Sequence, residues 1–175
     1  MVFKGYVANL GKYNEGSLIG EWVEFPIDKE DFDEVLERIG VTKYYEEYFF
    51  ADYDYIDLPD LEFGENESYE WLNDIAEKLT DLDKWDTEKL NAIVETWGAR
   101  EITNDLEDFD LDDFCLYSDV NSNYDLGYYW VEESGCYDLE KLGNLANYID
   151  YEKFGRDVAL GNCGCFTSYG YIERC

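Results

Sequence analysis

Carboxylates and thiols are the side chains of this chain whose types and spacing could do chemistry. Its 175 residues hold 43 acids, 13 bases, 5 cysteines and no histidine. The commonest general acid and base is therefore missing. Catalysis by paired carboxylates needs two acids at a fixed separation in an apolar cleft, and a chain this rich in acids singles out no pair. Its glycines form neither a P-loop nor G-x-G-x-x-G. Asp108, Asp110 and Asp112 stand at the first, third and fifth positions of a calcium loop, but Asp113 falls where that loop needs glycine and Asp119 where it needs a bidentate glutamate. Cys163-Gly-Cys165 with Cys175 offers thiolates to zinc, yet no histidine or second close cysteine pair completes the set. No metal, no cofactor and no enzymatic activity are expected.

Binding through charge remains. From Glu101 to Glu140, and again from Tyr44 to Glu77, acids recur without one lysine, arginine or histidine between them. An ordinary surface mixes signs, so windows this long leave their field uncompensated. The acids expected to carry binding lie in them: Glu46, Glu47, Asp52 and Asp54 in one, and Asp105, Glu107, Asp108, Asp110, Asp112, Asp113, Asp119, Glu132 and Glu133 in the other. Thirteen bases minus 43 acids leave a net charge of −30, whose self-repulsion opposes compaction. Such a surface repels nucleic acid and anionic membrane and attracts proteins that themselves bind polyanions. A salt-adapted protein would also be acidic, but that reading does not call for an 18% aromatic content, with 17 Tyr, 10 Phe and 5 Trp. Tyr128, Tyr129 and Trp130 are adjacent and cannot share one helix face, which makes them candidates for an interface between copies.

The elements that must position these acids can be read from periodicity. Val2 to Asn9 reads as a strand, Leu10 to Gly16 as a polar turn, and Ser17 to Phe25 as a strand pairing back. Asp28 opens a helix with Phe32, Val35, Leu36 and Ile39 on one face and Gly40 at its end. Tyr44 to Tyr55 reads as a further strand. Helices follow over Ser68 to Leu79, from Asp86 to Trp97, and in a short turn at Thr103. Phe114 to Val120 reads as a strand, Asn123 to Ser134 as a helix, and Leu139 to Leu160 as helix broken near Tyr148. A closing hairpin turns about Tyr169-Gly170. The class is α+β, in three small domains: 1–60, an antiparallel sheet plus helix; 61–102, helical; and 103–175, a sheet plus helices. No run is apolar enough to span a membrane and no signal segment opens the chain, so a cytosolic protein with reduced thiols is expected.

Four stretches resemble one known family in order. They are Tyr6-Val7-Ala8-Asn9-Leu10-Gly11-Lys12-Tyr13-Asn14-Glu15-Gly16 with Gly20-Glu21-Trp22 and Phe25-Pro26-Ile27; Tyr45-Glu46-Glu47-Tyr48 leading to Asp52-Tyr53; Tyr128-Tyr129-Trp130-Val131-Glu132-Glu133-Ser134-Gly135; and Asn147-Tyr148-Ile149-Asp150-Tyr151-Glu152-Lys153-Phe154-Gly155-Arg156-Asp157. Together they resemble the ArdA antirestriction proteins. The resemblance implies an elongated homodimer joined through its C-terminal domain, carried by mobile elements. It implies a DNA mimic that inhibits type I restriction-modification enzymes without catalysis, by occupying the DNA-binding groove of their methyltransferase core. Duplex DNA carries two charges per step of about 3.4 Å, so a net −30 corresponds to roughly 15 base pairs of phosphate per chain. Charge alone would equally suit an inhibitor or chaperone of another basic protein. The cysteine-rich end, Cys163-Gly-Cys165 and Cys175, departs from the family pattern.

Overall fold

The computed structural model describes residues 2–55, 58–104, 106 and 108–175, in a mixed α+β fold. These divide into two compact units. The first runs to Asp83 and adds Ile102–Leu106; the second takes Lys84–Glu101 and the chain from residue 108 onward. The stretch 61–102, expected to stand as a helical domain, therefore contributes to both.

In the first unit β1 (Phe3–Asn9) is the central strand of an antiparallel sheet, flanked by β2 (Gly20–Phe25) and β3 (Tyr48–Tyr55) in the order β2-β1-β3. Between β1 and β2 the polar turn expected over Leu10–Gly16 is instead α1 (Leu10–Asn14). Buried Asn9 is the reason. Its Oδ1 accepts the Lys12 N–H at 2.9 Å as the N-cap, while its Nδ2 donates to Ile39 O at 3.3 Å. α2 (Lys29–Arg38) buries Phe32 and Val35 on the expected face; Asp28 precedes it but makes no side-chain cap bond. α3 (Tyr69–Lys78) starts at Ser68, whose hydroxyl accepts the Trp71 N–H. Tyr69 joins α3 to this core, stacked on Phe32 at 4.6 Å and donating its hydroxyl to Ile27 O at 2.7 Å. Tyr44 and Tyr45 precede β3, tied by a single Thr42–Tyr45 bridge, so that strand is shorter than expected.

The second unit begins with α4 (Lys84–Trp97), which buries Leu90, Ala92 and Ile93 and places Asp86 in its first turn rather than at its cap. The unit boundary falls within α5 (Arg100–Thr103), whose last residue is Thr103. β4 (Phe114–Tyr117) ends before the expected Val120. α6 (Asn123–Tyr128) is capped by the Ser122 hydroxyl and passes into a π-helical turn over Tyr129–Glu133, where the Ser134 N–H reaches back five residues to Tyr129 O at 2.8 Å. After α7 (Leu139–Leu142) and a 3-10 segment to Tyr148 comes α8 (Tyr151–Asn162), capped by Asp150. The chain closes with β5 (Cys165–Thr167) and β6 (Gly170–Arg174) in a sheet ordered β4-β6-β5.

Two glycines let α6 and α8 cross with their backbones in contact. A β-carbon on Gly127 would overlap the carbonyl oxygen of Tyr151, and one on Gly155 would overlap that of Asn123. Only glycine permits this approach. The reduced thiols expected throughout hold for Cys136, Cys163 and Cys165, which are free and exposed. Cys115 and Cys175 are instead joined in a disulfide, because β4 and β6 pair antiparallel and bring their α-carbons to 5.8 Å.

Candidate functional site

The first group of acids stands on β3 because of one extra residue. β1 faces the core with Phe3, Gly5 and Val7, and the register sets Val7 against Phe50 but Tyr6 against Asp52, leaving Ala51 without a partner as a β-bulge. Side chains alternate along a strand, so a regular β3 would send Asp52 and Asp54 inward after Phe50. The bulge resets the phase. Tyr53 and Tyr55 follow Phe50 onto the core face, with Tyr53 stacked on Phe50 at 5.6 Å, while Asp52 and Asp54 are exposed. The outward face then carries the rows Glu24-Lys4-Asp54 and Trp22-Tyr6-Asp52 across three strands. Burial pushes the Tyr53 phenol up, and pushes that of Tyr55 up to about 12, in keeping with rings on the inner face. Glu46 and Glu47 lie exposed in the segment leading into β3.

The second group belongs to the second unit. Asp105 and Glu107 lie outside the described residues. Asp108, Asp110, Asp112 and Asp113 are exposed in the segment before β4, where Asp110 Oδ1 accepts the Asp112 N–H at 2.9 Å and caps a short 3-10 turn. Asp119 is exposed beyond β4, and Glu132 and Glu133 are exposed on the π-helical turn. Glu132 accepts the Tyr151 hydroxyl from α8, and that bond, with some burial, raises the phenol from 10.0 to about 12. Among the described residues no three of His, Cys, Asp and Glu converge as a metal would require.

None of the described candidate acids forms an ion pair. The bases sit elsewhere: Lys4 with Glu24, Lys12 with Glu15, Lys29 with Asp33, Arg38 with Glu21 and Arg174 with Glu101. Arg38 makes a two-pronged bond, Nε and Nη2 donating to Glu21 at 3.0 and 2.8 Å, and so holds that carboxyl below its usual range. Glu15 is lowered by the Tyr45 hydroxyl and then by Lys12.

The three adjacent rings separate as helix geometry requires. Tyr128 is exposed, Tyr129 is half-buried against Tyr117 at 5.0 Å, and Trp130 packs on the core of Val120, Leu126 and Tyr171 with its indole N–H buried and without a hydrogen-bond partner among the described residues. Sequence reasoning did not single out Glu173, the buried acid of β6. It is kept there by the Tyr117 hydroxyl at 3.1 Å and the Asn162 amide at 2.8 Å, and alternation along β6 is disguised because Gly170, Tyr171 and Ile172 are buried too. Nor did it find a cleft of 460 Å³ in the second unit, lined by rings of Trp85, Tyr117, Tyr124, Tyr128 and Tyr129 with Asp119, Asp125 and Glu133. Trp85 is distant from the rest in sequence, so no local pattern could announce it.

No helix among the described residues is long and apolar enough to cross a membrane. No curated protein matches this sequence. The family model of ArdA, antirestriction protein, matches residues 5–173.

Proposed function

The chain belongs to the ArdA family of antirestriction proteins, and from that premise we propose that it acts as a DNA mimic, filling the DNA-binding groove of type I restriction-modification enzymes. One observation carries the reading: the described candidate acids are exposed on β3, on the 3-10 and π-helical turns and on the segments beside them, and no lysine or arginine pairs with any of them. A groove that gains affinity by neutralising phosphates meets carboxylates in their place. The enzyme then has no base to read, methylate or cut, and inhibition is by occupancy, stoichiometric and without catalysis. Duplex DNA presents one charge per ~1.7 Å of axis, whereas Asp52 and Asp54, two residues apart on a strand, are separated by about 6.7 Å. No single element reaches that density, so the activity belongs to the ensemble of acids.

The protein would act in the bacterial cytoplasm as a homodimer joined through its C-terminal part. The second unit leaves Leu145, Tyr148 and Leu160 exposed at 68%, 83% and 74%, apolar surface suited to a partner copy. Of the three interface candidates, Tyr129 and Trp130 pack inward and Tyr128 is the exposed ring.

The test is a competition assay against a type I methyltransferase core bound to its duplex site, at two salt concentrations. Stoichiometric displacement that weakens as salt rises is expected. Failure to displace DNA from several such enzymes at low salt would leave an acidic binder of another basic protein. Single acid-to-amide changes are expected to be nearly silent, each shifting the displacing concentration less than about threefold. Changing the acids of one window together weakens displacement far more.

A further inference from the structure

Many aromatic rings of this chain are buried or half-buried in its cores, but the cleft in the second unit is walled in part by exposed ones. Trp85 on α4 is 43% exposed, and Tyr124 and Tyr128, one turn apart on α6, are 50% and 41% exposed with their planes within 17° of parallel. Tyr117 and Tyr129 close the inner end edge to face. Around these rings stand three carboxylates and no lysine or arginine. Asp125 is occupied locally, accepting the Ser122 hydroxyl at 2.7 Å and the Asn121 N–H. The carboxylates of Asp119 and Glu133 make no hydrogen bond or ion pair with any described residue. The cleft measures 460 Å³, within the range that holds an extended side chain and its flanking backbone.

We infer that this cleft is a discrete anchor for one arginine side chain of the protein partner, distinct from the diffuse field of the surface acids. Ring faces attract a cation through their quadrupole, and a planar guanidinium can stack on tyrosine while forking to a carboxylate. An ammonium is more strongly hydrated and carries no plane to stack, which favours arginine over lysine. A purely apolar occupant would leave the Asp119 and Glu133 charges facing it unpaired, at a cost. The inference rests on the proposed groove occupancy for the partner's identity, not for the chemistry of the pocket, and the two are separable by experiment.

The direct probe is N-acetyl-arginine methylamide, titrated onto the full chain while the indole N–H resonance of Trp85, assigned with Trp85→Phe, is followed by NMR. Saturable movement is expected with the arginine amide and none with its uncharged citrulline counterpart. The response should be lost in the double variant Asp119→Asn/Glu133→Gln, whose isosteric changes leave the fold in place by circular dichroism. No response, an equal response to citrulline, or one that survives in the variant would overturn the anchor whatever the partner is. In the competition assay the same variant should need about tenfold more protein to displace DNA, against less than about threefold for Glu30→Gln/Glu37→Gln, which removes equal charge outside both windows. Equal losses would reduce the cleft to part of the general field and overturn the inference. A wild-type chain that binds the arginine amide but displaces no DNA would sink the groove reading and keep the anchor. If the variant instead weakens self-association on sedimentation and leaves displacement unchanged, the cleft belongs to a second copy and the inference fails.

Discussion

A carboxylate on this protein has one of two fates, set by what stands within reach of it. Glu15 and Glu21 meet a cation and Glu132 a tyrosine hydroxyl, whereas none of the described candidate acids meets a lysine or arginine. The pairs make the pH response legible at single residues. Tyr151 is raised from 10.0 to about 12 by its bond to Glu132, so the bond contributes stability in full below pH 10 and loses it as pH climbs through about 12. Glu132→Gln should bring the Tyr151 titration back toward 10, read as the difference in tyrosinate absorbance against a Tyr151→Phe chain. At the acid end Glu21 is depressed below 4.5 by Arg38, so its contribution is present above that value and is lost as pH falls. Composition made the acids visible in the sequence, together with the lack of bases near them. Which of them pair was not, because Arg38 and Glu21 or Tyr151 and Glu132 meet only across elements.

At the scale of elements, the helices with a clear apolar stripe were legible: α2 follows Asp28 and α3 follows Ser68, which alone of the two caps through its side chain, while α8 is the latter part of a stretch read as helix broken near Tyr148. The exceptions share a cause. The short α1 has too few residues to display a period, and exists because buried Asn9 caps it from the end of a strand. The π-helical turn over Tyr129–Glu133 inserts a wider loop of backbone into a pattern read at 3.6 residues. The tightest contact, the α6–α8 crossing, rests on Gly127 and Gly155, which look like helix weaknesses in the sequence and are close-approach sites in the fold. Because backbone atoms block the added methyl, Gly127→Ala or Gly155→Ala should each cost about 3 kcal/mol, seen as a lower midpoint in urea unfolding, whereas Gly161→Ala on α8, with open space around it, should not destabilise.

For the molecule as a whole, a net charge of −30 makes repulsion a standing opponent of folding. Raising salt should therefore raise Tm by several degrees in thermal melts, while the same change weakens displacement of DNA; opposite signs from one variable would distinguish the field from any specific salt effect. With no histidine in the chain, stability should be nearly flat between pH 6 and 8. The Cys115–Cys175 bridge closes a loop of 60 residues, and Cys115→Ser should lower stability by about 2–4 kcal/mol under oxidising conditions and by nothing once the wild type is reduced. Fold class followed from the sequence because sheet and helix signals were separate along it. The division into two units did not, since α3 and α4 look alike in sequence and only their packing, α3 on Phe32 and α4 beside β4, assigns them.

The unpaired Ala51 separates two kinds of genetic change. Substitutions at Asp52 and Asp54 exchange one outward group for another and leave the strand's inner face as it was. Losing the single codon for Ala51 would remove the bulge and leave Asp52 opposite Tyr6 and facing out, whereas losing the codon for Tyr53 would set Asp54 against Gly5 on the core face and turn Tyr55 to water. Identity at the outward positions is free to drift; chain length beyond the bulge is not. A library of single-codon deletions should therefore be depleted of soluble variants at Tyr53 and Asp54 but not at Ala51, while a substitution library at Asp52 and Asp54 remains well populated.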